Sequence, residues 1–242
     1  TADAVFQNIY TLQQDMQPYT LILSGDHIYQ MHYLEMLEFH KELSADITIG
    51  VVPMPVSTAS EFGIIKADSD MHVEGFQEKP KENPHTMPND PSKILVSMGI
   101  YVFNTKVLIK RLIEDAKRKD SSHDFGKDII PRMVESGAKV IAFPFKGVMR
   151  NEYWRDIGTI DAYYAAHMDL VSVTPQFNLY DPKWPIHTVY SPYPPAKMVF
   201  SGGEDGKRIG TVLDSIICDG AIVSGGKVER SIISPNVRIN SY

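Results

Sequence analysis

Two aspartates that follow apolar or aromatic runs are well suited to bind a metal ion. Asp26 comes after the apolar run 20–23, and Asp156 comes after the aromatic pair at 153–154. The carboxyl ends of strands in open α/β sheets are where ligands and metals bind. Because Mg²⁺ commonly takes one or two carboxylates together with phosphate oxygens and water, the pair predicts phosphate-transfer chemistry. In the ordinary alternatives, Asp26 is a turn residue or a helix cap, and Asp156 pairs with Arg155 at the surface.

A glutamate and a lysine at the end of another predicted strand could bind a sugar phosphate. Pro80 would fix the turn so that Lys79 meets the phosphate and Glu78 accepts hydrogen bonds from sugar hydroxyls. An exposed charged turn is the alternative for this pair. Gly63 is either a simple strand glycine or a point where a ligand approaches the backbone. Ser97 is either a buried hydroxyl bonded to a neighbouring strand or a further ligand contact.

The composition argues against several classes of protein. The 242 residues carry a net charge of −6 without a block dense in Lys and Arg, which disfavours a nucleic-acid partner. Cys218 is the single cysteine, which suits a reducing cytoplasm, and no apolar run is long enough to cross a bilayer. His27 and His123 lack zinc-site spacing, and no nucleophile elbow or Walker loop occurs. We expect a cytoplasmic protein without a nucleic-acid or membrane partner.

Strands that alternate with helices predict an α/β fold, with a mixed, mostly parallel sheet covered by helices. The predicted strands span 21–23, 46–52, 62–67, 72–77, 95–103 and 140–143. The predicted helices span 3–12, 31–43, 106–119, 127–135 and 159–171.

The pattern changes after the proline pair at 194–195. From residue 209 onward, aliphatic residues recur in short steps among Gly, Ser, Asp and Asn, and no helical period fits them. Such short repeats are typical of the start of a parallel β-helix, in which each coil stacks on the next. We therefore divide the chain into a catalytic domain at 1–190, a linker at 191–208 and the start of a β-helix domain at 209–242.

Together these segments resemble the ADP-glucose pyrophosphorylase (glucose-1-phosphate adenylyltransferase) family along nearly the whole chain. The Gly-Asp and Glu-Lys-Pro elements occur in sugar nucleotidyltransferases generally. His-Asp-Phe-Gly-Lys-Asp at 123–128 and Asp-Pro-Lys-Trp-Pro-Ile at 181–186 resemble the ADP-glucose branch in particular. The resemblance implies a Rossmann-like nucleotidyltransferase fold followed by a left-handed parallel β-helix.

The resemblance also implies a reaction, in which ATP and glucose 1-phosphate give ADP-glucose and pyrophosphate during glycogen or starch biosynthesis. Asp26 and Asp156 would hold Mg²⁺ on the reacting phosphates, and Lys79 would hold the sugar phosphate. Five further positions would contact the sugar: Gly63, Glu78, Ser97, Asp124 and Trp154. A homotetramer regulated by allosteric sugar-phosphate effectors is the form expected of the intact enzyme.

Two alternatives stay open beside this one. Another sugar-1-phosphate nucleotidyltransferase would use UTP or GTP, and a non-catalytic regulatory subunit would belong to the same family. Retention of Asp26, Lys79 and Asp156 argues against the regulatory subunit. Family members begin with a Gly-rich loop that wraps the nucleotide, and this sequence resembles the family only beyond it. We therefore expect the isolated chain to be inactive.

Overall fold

The computed structural model describes residues 1–147, 152–202 and 208–241. These residues form two compact units. The first comprises Thr1–Gly25 and Gln30–Glu152, and the second comprises Asp26–Tyr29 and Tyr153–Tyr242. No helix in the described ranges is long and apolar enough to cross a membrane.

The regular elements are numbered along the chain. The helices are α1 (Ala2–Phe6), α2 (Ile9–Asp15), α3 (Tyr33–Glu42), α4 (Thr105–Ala116), α5 (Ile130–Glu135) and α6 (Ile160–Leu170). A 3₁₀ helix spans Val56–Glu61, and a π-helical turn spans Phe125–Ile129. The strands are β1 (Tyr19–Ile22), β2 (His27–Tyr29), β3 (Ile47–Pro55), β4 (Gly63–Ala67), β5 (Val73–Glu78), β6 (Lys93–Asn104), β7 (Val140–Pro144), β8 (Trp154–Asp156), β9 (Lys197–Val199), β10 (Thr211–Leu213), β11 (Ile216–Ile217), β12 (Ile222–Ser224), β13 (Lys227–Glu229), β14 (Ile232–Ile233) and β15 (Arg238–Asn240).

The first unit is built on a mixed sheet in the order β5-β4-β6-β3-β7, with β1 also paired to β6. The mixed α/β architecture is confirmed, but the prediction of a mostly parallel sheet is wrong for the described strands. Only β3 and β7 pair in parallel, whereas β6 runs antiparallel to β1, β3 and β4, and β4 and β5 form an antiparallel hairpin. Parallel neighbours need a crossover of a dozen or more residues, and only residues 68–72 join the neighbours β4 and β5, which therefore pair antiparallel.

The core of this unit lies around β3 and β6. The residues from Ile47 to Val52 are all buried, as a central strand covered on both faces requires. Phe103 on β6 packs in the same cluster with Leu108 and Leu112 of α4. The predicted helix over 3–12 is two helices, α1 and α2. Asn8, at their junction, donates its side-chain amide to the Ala4 carbonyl at 2.9 Å, a local bond that competes with a continuous helix.

The second unit contains a strand pair, a helix and a stack of short strands. β2 and β8 pair antiparallel, and Thr159 caps α6 by accepting from the Ala162 N–H at 3.1 Å. The stack pairs β10 with β13, β11 with β14, and β12 with both β9 and β15, all in parallel. Thr211 pairs with Lys227 and Ile216 with Ile232, so successive coils are sixteen positions apart, as expected for the start of a β-helix. β9 belongs to this stack although it lies within the predicted linker.

Candidate active site

Asp26, His27 and Asp156 come together in the second unit. The antiparallel register of β2 and β8 places His27 directly opposite Asp156. The His27 Nε2 atom lies 3.7 Å from Asp26 Oδ1 and 4.0 Å from Asp156 Oδ1. One ligand atom from each of the three residues lies within 4.8 Å of the other two. The two carboxylates predicted to bind a metal ion are thus neighbours, and the His27 imidazole lies close to both.

Backbone contacts hold the two aspartates in this arrangement. The Ile157 N–H donates to the Asp26 carbonyl at 3.1 Å, and the Gly158 N–H donates to Asp156 Oδ1 at 2.8 Å. A side chain at Gly158 would bring a Cβ atom within 3.0 Å of that same Oδ1. Gly158 therefore leaves room for the Asp156 carboxylate beside the backbone.

The structure removes the helix-cap alternative for Asp26 and the ion-pair alternative for Asp156, while Asp26 does lie in a bend that precedes β2. Asp26 caps no described helix, because α3 begins after His32. Asp156 forms no ion pair with Arg155 in the described ranges, and the Arg155 guanidinium lies 5.3 Å from the centroid of the Tyr153 ring. The side chain of Asp26 is 64% exposed and that of Asp156 is 35% exposed. Two solvent-accessible carboxylates fit a hard divalent cation such as Mg²⁺, which retains several water ligands.

Trp154 lies beside this cluster and is buried. Its ring packs edge-on against the His27 imidazole, with centroids 5.1 Å apart and an interplanar angle of 84°. Such edge-to-face packing fixes ring orientation as well as burying apolar area. Trp154 therefore orients His27, and its predicted contact with the sugar stays a prediction.

The Glu-Lys-Pro turn lies in the first unit at the end of β5. Glu78 pairs with Gly63 across the β4–β5 hairpin. Lys79 has a left-handed backbone with φ of 47°, and its N–H donates to the Phe62 carbonyl at 3.1 Å. The backbone of Lys79 is thus held by a hydrogen bond and by the following Pro80, while its ammonium-bearing side chain is exposed.

The Glu78 carboxylate lies between two glycines. A Cβ atom on Gly126 would be 2.7 Å from Glu78 Oε2, and one on Gly63 would be 3.1 Å from the same oxygen. Burial raises the pKa of Glu78, as does the charge of Asp124, while Lys79 and Lys127 act against the shift. The missing side chain at Gly63 makes room first for the Phe76 ring, which a Cβ atom would meet at 2.6 Å, and then for the Glu78 carboxylate, a role that the sequence did not indicate.

Asp124 caps the π-helical turn. Its Oδ1 accepts from the N–H groups of Gly126 at 2.9 Å and Lys127 at 3.0 Å, and its Oδ2 accepts from the Thr1 hydroxyl at 2.8 Å. Burial opposes ionisation of Asp124, but the Lys127 N–H and the Thr1 hydroxyl hold its pKa below the usual range. The negative charge of Asp124 therefore helps to raise the pKa of Glu78 in the first unit.

Ser97 and Tyr101 are two hydroxyl-bearing residues of β6 in the same unit as Glu78 and Asp124. Ser97 is half-buried and hydrogen-bonds to Tyr101, and burial raises the pKa of Tyr101 to about 12 although this bond acts against the rise. The Asp124 and Glu78 charges also raise the pKa of Tyr101. Tyr101 is a buried aromatic residue of the core. The polar function of its hydroxyl was missed, because an aromatic in an apolar strand gives no signal of what its hydroxyl contacts.

A buried charge network supports the Asp124 loop and was also missed. The Asp115 side chain is 5% exposed, and it lies 2.7 Å from His123 Nδ1 and 2.7 Å from Arg132 Nη1. Burial alone would raise the pKa of Asp115, but hydrogen bonds from Ser121 and His123 and the Arg132 charge lower it.

The same network reaches Asp124 through Asp128. Arg132 Nη2 lies 3.4 Å from Asp128 Oδ1, and Asp128 Oδ2 accepts from the N–H groups of Ser122 and Asp124, each at 3.1 Å. The network therefore fixes the backbone from which the Asp124 side chain projects.

Known proteins match both parts of the chain. A family described as "Nucleotidyl transferase" matches residues 1–173, and one described as "GlmU-like, C-terminal hexapeptide" matches residues 194–242. The first match contains every predicted site residue.

Relatives named glucose-1-phosphate adenylyltransferase match the whole chain. The Rhodopirellula baltica protein is 50% identical over 100% of this chain and 54% of its own length. The Koribacter versatilis protein is 51% identical over 100% of this chain and 58% of its own length. A Shewanella protein is 48% identical over 100% of this chain and 57% of its own length. The chain thus spans about half the length of these curated relatives. Because the nucleotidyl transferase match covers well over half of its residues, the chain belongs to the nucleotidyl transferase family.

Proposed function

We propose that this chain serves a glucose-1-phosphate adenylyltransferase reaction. A phosphate oxygen of glucose 1-phosphate would attack the α-phosphorus of ATP, the bond to the β-phosphate would break, and ADP-glucose and pyrophosphate would result. The observation that carries this proposal is the similarity of the whole chain to relatives of that name, at 48–51% identity in the three described.

The residues of the first unit support recognition of a sugar phosphate. The exposed ammonium group of Lys79 would bind the phosphate, because its backbone is already held on both sides. Glu78, held between two glycines, would accept hydrogen bonds from sugar hydroxyls. Ser97 and Asp124 would supply further hydrogen-bonding oxygens. Alignment and charge neutralisation are what phosphoryl-group transfer mainly requires.

Asp26 and Asp156 of the second unit would hold Mg²⁺. Such an ion, when bound, neutralises charge on the reacting phosphates. The backbone N–H groups of Ile157 and Gly158 keep the two aspartates in place. The donor set of two accessible carboxylates supports this assignment.

The resemblance extends the proposal to the cellular setting. It supports a cytoplasmic role in glycogen biosynthesis, a homotetramer and regulation by sugar-phosphate effectors. The hexapeptide match at 194–242 supports a β-helix domain of the kind such assemblies contain.

A thermal-shift panel with Mg²⁺ tests the proposal on the 242-residue chain. Glucose 1-phosphate at 100 times its Kd should stabilise the fold by about 2.7 kcal/mol. That corresponds to an increase in Tm of about 5–10 °C. ADP-glucose should stabilise at least as much as UDP-glucose. A larger shift with UDP-glucose would indicate another sugar nucleotidyltransferase, and no shift with any sugar phosphate would favour a non-catalytic subunit.

A further inference from the structure

We propose that the Nε2 atom of His27 is a third protein ligand of the divalent cation held by Asp26 and Asp156. The inference rests on the proposed metal site, to which it adds a nitrogen donor. It predicts that the site binds Mn²⁺ and Co²⁺ more tightly than a site of two carboxylates would.

The distances place the imidazole within reach of a shared ion. Two donors that bind one ion at about 2.1 Å each are at most about 4.2 Å apart. His27 Nε2 lies 3.7 Å from Asp26 Oδ1 and 4.0 Å from Asp156 Oδ1, so both distances satisfy this limit. The imidazole can therefore share an ion with either carboxylate without a change in the fold.

Burial and packing fix the direction in which the nitrogen points. The His27 side chain is only 11% exposed, and Trp154 packs against its ring at 5.1 Å. The register with β8 fixes its backbone opposite Asp156. Asp26 is the most exposed of the three side chains and can adjust to the ion. A fixed nitrogen beside a fixed and an adjustable carboxylate is a suitable donor set for one cation.

The donor types determine which ions gain most. Mg²⁺ prefers oxygen ligands in near-ideal octahedral geometry, whereas imidazole suits transition metals. Replacing a water ligand by His27 should therefore raise the affinity for Mn²⁺ and Co²⁺ more than that for Mg²⁺.

Electron paramagnetic resonance of Mn²⁺ bound to the 242-residue chain tests the inference without an activity assay. The native chain should bind Mn²⁺ and show hyperfine coupling to one coordinated nitrogen. His27→Phe, which keeps a ring against Trp154, should lose the coupling and weaken Mn²⁺ binding by about tenfold or more. His27→Gln offers an oxygen instead, so it should lose the coupling but keep more of the affinity. His72→Asn is the control, because His72 also lies near an aspartate, Asp68, at 3.5 Å.

The possible results separate this inference from the metal site itself. Mn²⁺ that binds without nitrogen coupling, and that Asp26→Asn releases, would overturn the role of His27 and leave the two-carboxylate site standing. Coupling that persists in folded His27→Phe and His27→Gln would assign the nitrogen to another histidine and overturn the inference. Failure of the native chain to bind Mn²⁺ would overturn both proposals. Circular dichroism of each variant verifies the fold.

Discussion

Lys79 is an exposed cation on a backbone that is already fixed, so its replacement isolates the contribution of one charge. Lys79→Ala should weaken glucose 1-phosphate binding by about 10- to 150-fold, because a charge-assisted hydrogen bond is worth roughly 1.5–3 kcal/mol. Lys81→Ala removes a similarly exposed lysine two residues away and should leave the affinity unchanged. Calorimetric titration of both variants measures this difference. Equal losses would show that general positive charge, and not Lys79, attracts the phosphate.

Gly126 tests whether the position of Glu78 matters for sugar binding. A methyl group on Gly126 would lie 2.7 Å from Glu78 Oε2 and 3.3 Å from the Phe76 ring, so the carboxylate has to move. Gly126→Ala should lower glucose 1-phosphate affinity by about tenfold. Its cost to the stability of the fold should be small, because the atom that must move is the end of a flexible side chain.

Gly75→Ala is the matched control for Gly126→Ala. Its Cβ would meet Lys66 at 3.6 Å, an ordinary contact, so affinity should be retained. If Gly126→Ala also kept full affinity, Glu78 would not be a sugar contact.

At the scale of elements, the Asp115 network joins α4, α5 and the loop that carries Asp124. Arg132→Ala would leave Asp115 buried with one cationic partner fewer. Because Arg132 is 29% exposed, the expected cost is about 2–3 kcal/mol, below that of breaking a fully buried pair. Arg118→Ala breaks an exposed pair with Asp120 and should cost far less than Arg132→Ala, because solvent screens exposed ion pairs. Urea denaturation of both variants gives the comparison, and equal costs would contradict a supporting role for the network.

His40 links α3 to the sheet and should make stability depend on pH. Its ring is buried, and its Nδ1 atom lies 2.8 Å from the Thr48 hydroxyl of β3. Burial lowers the pKa of His40, and the nearby Asp46 charge only partly opposes the shift. The unfolded chain therefore binds a proton at a higher pH than the folded chain does. Stability should fall as the pH drops below about 6.5 toward the folded pKa, by at most about 1.4 kcal/mol per pH unit.

Variants separate this effect from other titrations. Urea denaturation between pH 7.5 and pH 5 should show a smaller loss of stability for His40→Gln than for the native chain. His187→Gln, at an exposed position of the second unit, should retain the native dependence. An unchanged slope in His40→Gln would assign the loss to another group.

At the scale of the whole molecule, burial patterns were predictable and pairing directions were not. The apolar run of β3 and the change of period near residue 209 indicated the central strand and the β-helix start. The direction of a strand relative to its neighbours depends on which segments meet in space. The residues of β6 therefore did not indicate that it runs antiparallel to β1, β3 and β4.

The residues of the candidate site likewise were predictable only where the local sequence pattern marks them. Asp26 and Asp156 were predictable as a pair because each is an acid at the end of an apolar or aromatic run. Asp115 lies within a helix and Tyr101 within a strand, and their roles depend on side-chain contacts with Arg132 and Ser97 that the sequence pattern does not show.

A chimera provides the most direct test of the central claim, that this chain serves adenylyl transfer to glucose 1-phosphate. The chain would replace the matching segment of the Rhodopirellula baltica relative, of which it covers 54%. The chimera should form ADP-glucose from ATP and glucose 1-phosphate, and it should use UTP poorly. Asp26→Asn in the chimera should lower the rate by about 10²–10³ without unfolding it. A folded chimera that makes no ADP-glucose, or an Asp26→Asn variant within about tenfold of its parent, would contradict the account.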